Sequence, residues 1–371
     1  MNAKIWLSSP HMSKRELEYI HEAFETNWIA PLGPNIDKFE NTLQSYLGEA
    51  KKVAALNSGT AAIHLALILL GIKQGDEVLC QSFTFSATIN PVVYQGATPV
   101  FIDSESETWN ICPEQLEVAI LDRLKNGKKP KAIIAVHLYG MPYKIIKIKE
   151  LGLKYNIPII EDSAEALGSE VNGQKCGTFG HMAILSFNGN KIITTSCGGA
   201  LIISGDELKE KAIFLATQAK DTAPHLQHSH IGYNYRMSNV LAGVGRGQME
   251  VLENRVKSRR DNFNFYKESL KNGHFIFLEE PNGYYSNRWL TCILTASYEI
   301  REKIRQALNQ LNIESRPLWK PLHLQPIFSL YPAYLNGISE NLFEKGLCLP
   351  SGSNLSKRDL QRIVAVINEQ V

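Results

Sequence analysis

From about residue 50 onward, apolar positions fall into short blocks closed by small or polar turns, and the blocks alternate between two periods. "KKVAALNS" reads as a short strand and "GTAAIHLALILLGI" as a buried helix ending near Gly71. "DEVLCQS" is strand-like, "FSATINPVVYQG" helical, and "TPVFIDS" strand-like again. "PKAIIAVHLYG" predicts a strand, followed by an amphipathic helix over "KIIKIKELGLKYN" with Ile145, Ile148, Leu151 and Leu153 near one face. "IPIIEDSAEALGS" reads as strand then turn, and "MAILSFN" and "GGALIIS" as two more strands. Apolar strands alternating with helices imply an α/β fold with a mainly parallel central sheet, covered on both faces and joined by right-handed crossovers.

After about residue 205 the texture turns helical. "DELKEKAIFLATQAK" predicts one helix. "SNVLAGVGRGQMEVLENRVKSRRDNFNFYKESLKN" predicts a single long one with a basic, solvated far half. From about 275 the pattern mixes: "NRWLTCILT" is strand-like, "REKIRQALNQLNI" helical, and "SKRDLQRIVAVINEQV" closes the chain as an amphipathic helix. A length of 371 residues suits one large and one smaller domain. The change of texture predicts a large domain over 1–250 and a smaller C-terminal α+β domain over 251–371.

Composition narrows the function classes. Hydrophobic residues are 44% and charged residues 20%, as in an ordinary globular enzyme. A formal net charge of +2 offers no case for nucleic acid. The densest cationic stretch, "RLKNGKKPK", reads as a solvated loop. The six cysteines (Cys80, Cys112, Cys176, Cys197, Cys292, Cys348) show neither zinc spacing nor a disulfide framework. "MNAKIWLSSPHMSKRE" lacks an apolar signal core, and "AAIHLALILLG" is too short to span a bilayer. The expectation is a cytoplasmic protein with no metal and no membrane partner.

In open parallel sheets, ligands bind at the carboxyl ends of strands, so the residues after each strand carry the chemistry. "NSGTAA" opens directly into a helix. Its free N–H groups, with the Ser58 and Thr60 hydroxyls, suit a phosphate, or form an ordinary N-cap turn. In "SFTFSAT", Phe83 or Phe85 stacks on a flat ligand or packs in the core. His137 in "HLYG" reads as structural. Glu161, Asp162 and Glu165 bring three carboxylates to one strand end, and an acid there needs a partner: a cationic ring nitrogen or a metal. Metal ligands of suitable spacing are missing. Lys191 then sits in "SFNGNKIITTSCGG", an amine on a small polar loop between two apolar strands. A phosphate turn, an aromatic, a strand-end aspartate and a loop lysine are together what pyridoxal phosphate requires. They serve its phosphate, ring face, pyridine nitrogen and aldehyde.

"NSGTAAIHLAL", "SFTFSAT", "HLYG", "EDSAEALGS", "SFNGNKIITTS" and "IGYNYRMSN" strongly resemble the DegT/DnrJ/EryC1/StrS aminotransferases, which use pyridoxal phosphate on nucleotide-linked keto sugars. The resemblance runs from "NWIAPLGPNIDKFE" to "LCLPSGSNL" and implies the fold-type-I aminotransferase architecture. "SRPLWKPLHLQP" looks most like the branch making the UDP-linked 4-amino sugar precursor of bacillosamine, for glycan biosynthesis. The "EDxAEAxGS" element also occurs in the GDP-linked perosamine branch. The resemblance implies Lys191 as the Schiff-base lysine and proton shuttle, with Asp162 facing the pyridine nitrogen. It places Thr60, the Gly59 and Ala61 backbone and Ser186 on the phosphate, Phe85 on the ring, and Glu165 by the ring hydroxyl. Asn234 would reach the phosphate of a neighbouring subunit's cofactor, which implies a homodimer with shared sites. Trp28, Arg316 and His323 are weaker candidates for the sugar nucleotide.

What the resemblance implies is ping-pong transamination from L-glutamate to the C4 keto group of a nucleotide-linked 4-keto-6-deoxy sugar. A GDP-linked keto sugar and a non-catalytic binding or regulatory protein remain the alternatives. Sugar dehydratases of this family carry histidine in place of the lysine, and Lys191 argues against that chemistry. Two positions depart from the pattern. Cys197 stands where relatives often have glycine, a cost on the order of 1 kcal/mol if φ is positive there. A small buried side chain is expected at Cys197 rather than a reactive thiol. His181 stands where many relatives have aspartate and is expected to be a surface change.

Overall fold

A computed structural model of the chain describes residues 3–270 and 273–371. Lys271 and Asn272, the end of the expected long helix, lie outside the described residues, as do Met1 and Asn2 of the N-terminal segment.

The large sheet has eight strands, in the order Lys52–Leu56, Gly199–Ile203, Met182–Ser186, Ile159–Asp162, Ala132–Val136, Glu77–Gln81, Thr98–Ile102 and Ala333–Tyr334. Among the described residues of this sheet, only Gly199–Ile203 runs against its two neighbours; the remaining neighbours pair in parallel. Strands such as "AIIAV" are buried along their whole length because both faces are covered. Successive side chains point to opposite faces. Ala54, Leu56, Ile184 and Leu201 therefore pack on the face carrying helices Gly59–Leu69 and Asp206–Ala216. Val53, Ala55, Leu185 and Ile202 pack on the other face, beneath Pro34–Leu47 and Asn239–Met249. This is a mainly parallel sheet flanked by helices, as the resemblance implies.

Two expectations change. The long helix is two helices, Asn239–Met249 and Leu252–Ser269, parted at Val251, where φ is −118° and ψ 8°. The first half lies against the N-terminal helices through Gly243, Gly245 and Gly247. A Cβ on Gly245 would come within 2.7 Å of the Phe39 ring. The second half follows a different layer, and one straight helix could not serve both. Leu153 points to solvent, off the buried stripe of Ile145, Ile148 and Leu151.

A second sheet, Ile276–Phe277, Thr291–Leu294, Gly346–Leu349 and Arg316–Pro317, is antiparallel throughout. It packs with helices Leu252–Ser269, Tyr298–Gln310 and Lys357–Asn368 around Ile293, Ile304, Leu347 and Ile363. Ile5 joins this core and bridges to Ile313, whereas Ala333–Tyr334 returns to edge the large sheet. Among the described residues no helix is long and apolar enough to cross a membrane.

Candidate active site

The carboxyl edge of the large sheet opens into a cavity of about 550 Å³. Its floor is the start of helix Gly59–Leu69. Ser58, in extended backbone, caps this helix by accepting from the Ala61 N–H at 3.0 Å. That bond uses the Ala61 donor. The N–H groups of Gly59 and Thr60 and the hydroxyls of Thr60 and Ser186 make no hydrogen bond among the described residues. Two glycines allow this closeness. A Cβ at Gly59 would sit 3.1 Å from the Ser186 Cβ, and one at Gly199 would sit 2.4 Å from the Gly59 nitrogen. Unused donors at a helix N-terminus form an anion site.

Across the cavity, Asp162 ends its strand nearly buried, at 5% exposure. Its Oδ2 accepts from the Thr88 hydroxyl at 2.7 Å and its Oδ1 from the Ala164 N–H at 3.2 Å. Thr84 lies 3.0 Å from Thr88 and extends the chain. Glu161 belongs elsewhere. Its carboxylate is on the opposite face of the sheet, where His137 Nε2 lies at 2.9 Å and the N–H groups of Gly177, Phe179 and Gly180 donate to it. Two carboxylates, not three, face the cavity, and the period of two along a strand could have shown this from the sequence. His137 is buried and stacks on Tyr143 at 4.6 Å, in keeping with a structural role.

Glu165 is the second cavity carboxylate. Its Oε1 lies 3.4 Å from Lys191 Nζ, and its Oε2 accepts from the Tyr139 N–H at 2.6 Å. Burial raises the Glu165 pKa, opposed by the Lys191 cation and the Tyr139 N–H. Tyr139 and Gly140 both take positive φ, 56° and 87°, so "HLYG" turns sharply enough to aim that N–H inward. A Cβ at Gly140 would strike Asn287 Oδ1 at 1.9 Å. Lys191 enters from the opposite wall, its amine 4.2 Å from the centre of the Trp289 ring. Phe85 is 62% exposed at the mouth, while Phe83 is wholly in the core.

The profile described as "DegT/DnrJ/EryC1/StrS aminotransferase family" matches residues 10–368. The chain belongs to this aminotransferase family. It is 52% identical to the "Putative pyridoxal phosphate-dependent aminotransferase EpsN" of Bacillus subtilis, over 99% of this chain and 96% of that protein. It is 36% identical to the GDP-perosamine synthase of Escherichia coli O157:H7, over 97% of this chain and 96% of the synthase. A solved family aminotransferase from Brucella abortus superposes with a TM-score of 0.90 at 31% identity, covering 96% of this chain and 95% of that one.

DegT/DnrJ/EryC1/StrS aminotransferases are pyridoxal phosphate enzymes, and the donor set here fits that cofactor. Open N–H groups and two free hydroxyls suit its phosphate. A buried carboxylate fixed by two donors suits a cationic ring nitrogen, and Lys191 suits an aldehyde. The structure brings Gly59, Thr60, Phe85, Asp162, Glu165, Ser186, Lys191 and Arg316 onto one cavity. It leaves four candidates outside that lining. Ala61 has spent its N–H on Ser58. Asn234 is exposed beside Asn57, whose side-chain amide donates to the Asn234 carbonyl. Trp28 is 39% exposed, its carbonyl held by Asn239. His323 is clamped between Ser82 and Glu340. Cys197 is exposed and lines the cavity rather than being buried, with its thiol 2.8 Å from the Asn57 carbonyl. The positive φ falls on Ser196, at 70°, so Cys197 carries no such strain. His181 is at the surface, and its Nδ1 accepts from the Ile159 N–H at 3.1 Å. Trp289, Trp319 and Thr88 were missed, since each is apolar or neutral and reaches the site only through the fold.

Proposed function

We propose that this chain transfers the amino group of L-glutamate to the C4 keto group of a nucleotide-linked 4-keto-6-deoxy sugar, with UDP-4-keto-6-deoxy-GlcNAc as acceptor. The observation that carries the reading is Lys191 Nζ, 3.4 Å from the buried Glu165 carboxylate, in one cavity with Asp162 and the open start of helix Gly59–Leu69. Bound pyridoxal phosphate would supply the carbon that carries the amino group and the ring that takes up an electron pair. Lys191 Nζ takes the proton from the donor α-carbon and later delivers one to C4 of the sugar. Asp162 holds the ring nitrogen protonated, and Gly59, Thr60 and Ser186 hold the phosphate. Phe85 covers the ring, and Glu165 sits by the ring hydroxyl, where its contact with Lys191 also orients that amine. Asn234, exposed on this subunit, serves the cavity of a second copy in a homodimer. The cytoplasm suits six free cysteines.

The UDP reading is supported by "SRPLWKPLHLQP", from which Arg316 and Trp319 line the cavity. The similarity to a GDP-perosamine synthase favours the GDP sugar as the second reading. The test is the visible absorbance of the purified holoenzyme. L-Glutamate should bleach the cofactor band, the UDP-linked keto sugar should restore it, and Lys191→Ala should abolish turnover. Restoration by the GDP-linked sugar alone would assign the second reading. A colourless protein that stays so with added cofactor would move it to the binding-protein class.

A further inference from the structure

The peptide unit that carries Lys191 is gripped at both ends. Its N–H donates to the Asn188 carbonyl at 3.0 Å. Its oxygen, that of Asn190, accepts from the Ser8 hydroxyl at 2.6 Å and from the Trp289 indole N–H at 2.7 Å. A peptide unit is planar, so holding both ends sets the plane from which the Lys191 side chain departs. Trp289 acts twice, because its ring face also lies 4.2 Å from the Lys191 amine.

One group holds both donors. The Arg259 guanidinium donates to the Ser8 hydroxyl oxygen at 2.9 Å and to the Trp289 carbonyl. Arg259 is 1% exposed, and its Nε finds no acceptor among the described residues. Among the described residues, no carboxylate pairs with it. Its charged neighbour is Arg255, which hydrogen-bonds His11, and Glu16 is the nearby anion felt by both His11 and Arg255. A buried cation without a counter-ion carries a large desolvation cost, and well-packed apolar residues often replace buried charged groups with no loss of stability. The guanidinium offers a rigid fork that can reach two acceptors on two segments at once.

We propose that Arg259 is a positioning residue for the Lys191 amine, acting through Ser8 and Trp289 on the Asn190 carbonyl. The inference rests on Lys191 being the reacting amine, as proposed above.

The test compares holoenzymes bearing Arg259→Lys, Ser8→Ala and Trp289→Phe. The last keeps an aromatic ring beneath the amine, removes the indole N–H and makes the ring system three heavy atoms smaller. Arg259→Lys should lower kcat about 10- to 100-fold with KM changed less than about threefold, because a misplaced reacting group costs rate rather than binding. Ser8→Ala and Trp289→Phe should show smaller falls of the same kind. All three should change the visible circular dichroism of the bound cofactor, a readout that loss of stability alone does not move. If Arg259→Lys does not fold, the other two decide. Wild-type kcat and visible circular dichroism in folded Ser8→Ala and Trp289→Phe would overturn the inference, as would a rise in KM at constant kcat. Lys191→Ala, run alongside, separates the failures. If it retains turnover, the reading of Lys191 is wrong. If it is dead while the other variants match wild type, only the role of Arg259 is wrong.

Discussion

The hydrogen bond between Thr88 and Asp162 can be isolated by a double-mutant cycle. Thr88 is 1% exposed and Asp162 5%, so little water competes for the 2.7 Å contact. Thr88→Val keeps the side-chain shape and removes the hydroxyl. Asp162→Asn keeps the shape and removes the charge. A hydrogen bond to a charged group is worth about 1.5–3 kcal/mol, and burial places this one toward the upper end. Asp162 keeps the Ala164 N–H, and Thr84 keeps access to the cavity, so neither collapses when Thr88 changes. An amide oxygen at position 162 can still accept from Thr88, so the coupling is the charged bond less an ordinary one of about 1 kcal/mol, or about 2 kcal/mol. The assay is urea unfolding of the cofactor-free proteins at matched concentration, singles against the double. A coupling below about 0.5 kcal/mol would refute the claim that Thr88 fixes Asp162. Pyridoxal phosphate titrations of the same four proteins should show weaker binding for Thr88→Val, and a smaller further loss when it is added to Asp162→Asn.

Two further outcomes are expected. Gly199→Ala would press a methyl group to within 2.4 Å of the Ser58 and Gly59 backbone, displacing the helix start. It should cost about 1–3 kcal/mol of stability and weaken cofactor binding, and unchanged affinity would show that the approach is not needed. Glu77 is buried, which by itself would raise its pKa, but Arg123 and Lys128 outweigh burial and hold the carboxyl below its ordinary value of 4.5. A lowered carboxyl pKa gives stability that is complete above the unfolded value and lost as pH falls through the folded one. Glu77→Gln should thus narrow the stability gap between pH 7 and pH 3 in thermal melts, and an unchanged gap would count against the pairing.

Much of the site was legible because its chemistry follows strand ends. "NSGTAA", "EDSAEALGS" and the Lys191 loop each sit where a local pattern of strand then turn puts them, and parallel strands place such ends together. Some of what went unread was within reach. Adjacent Glu161 and Asp162 must face opposite ways on a strand, and Leu153 falls two positions beyond Leu151 on a helix whose stripe recurs every three to four. The break at Val251 was out of reach, since it comes from two halves of one helical pattern packing on different layers.

The amino-acid sequence by itself determined the alternation of strands and helices, the parallel sheet and the order of phosphate turn, aspartate and lysine. Those follow from periodicity and turn chemistry within a few residues of each other. Only the tertiary structure decided that Ser8, Arg259 and Trp289 meet at the carbonyl before Lys191, and that Tyr139 steadies Glu165. It also decided that Gly199–Ile203 runs against its neighbours. Those contacts join segments far apart in the chain. Packing of whole layers brings them together, and no local pattern encodes which distant donor will reach a given carbonyl.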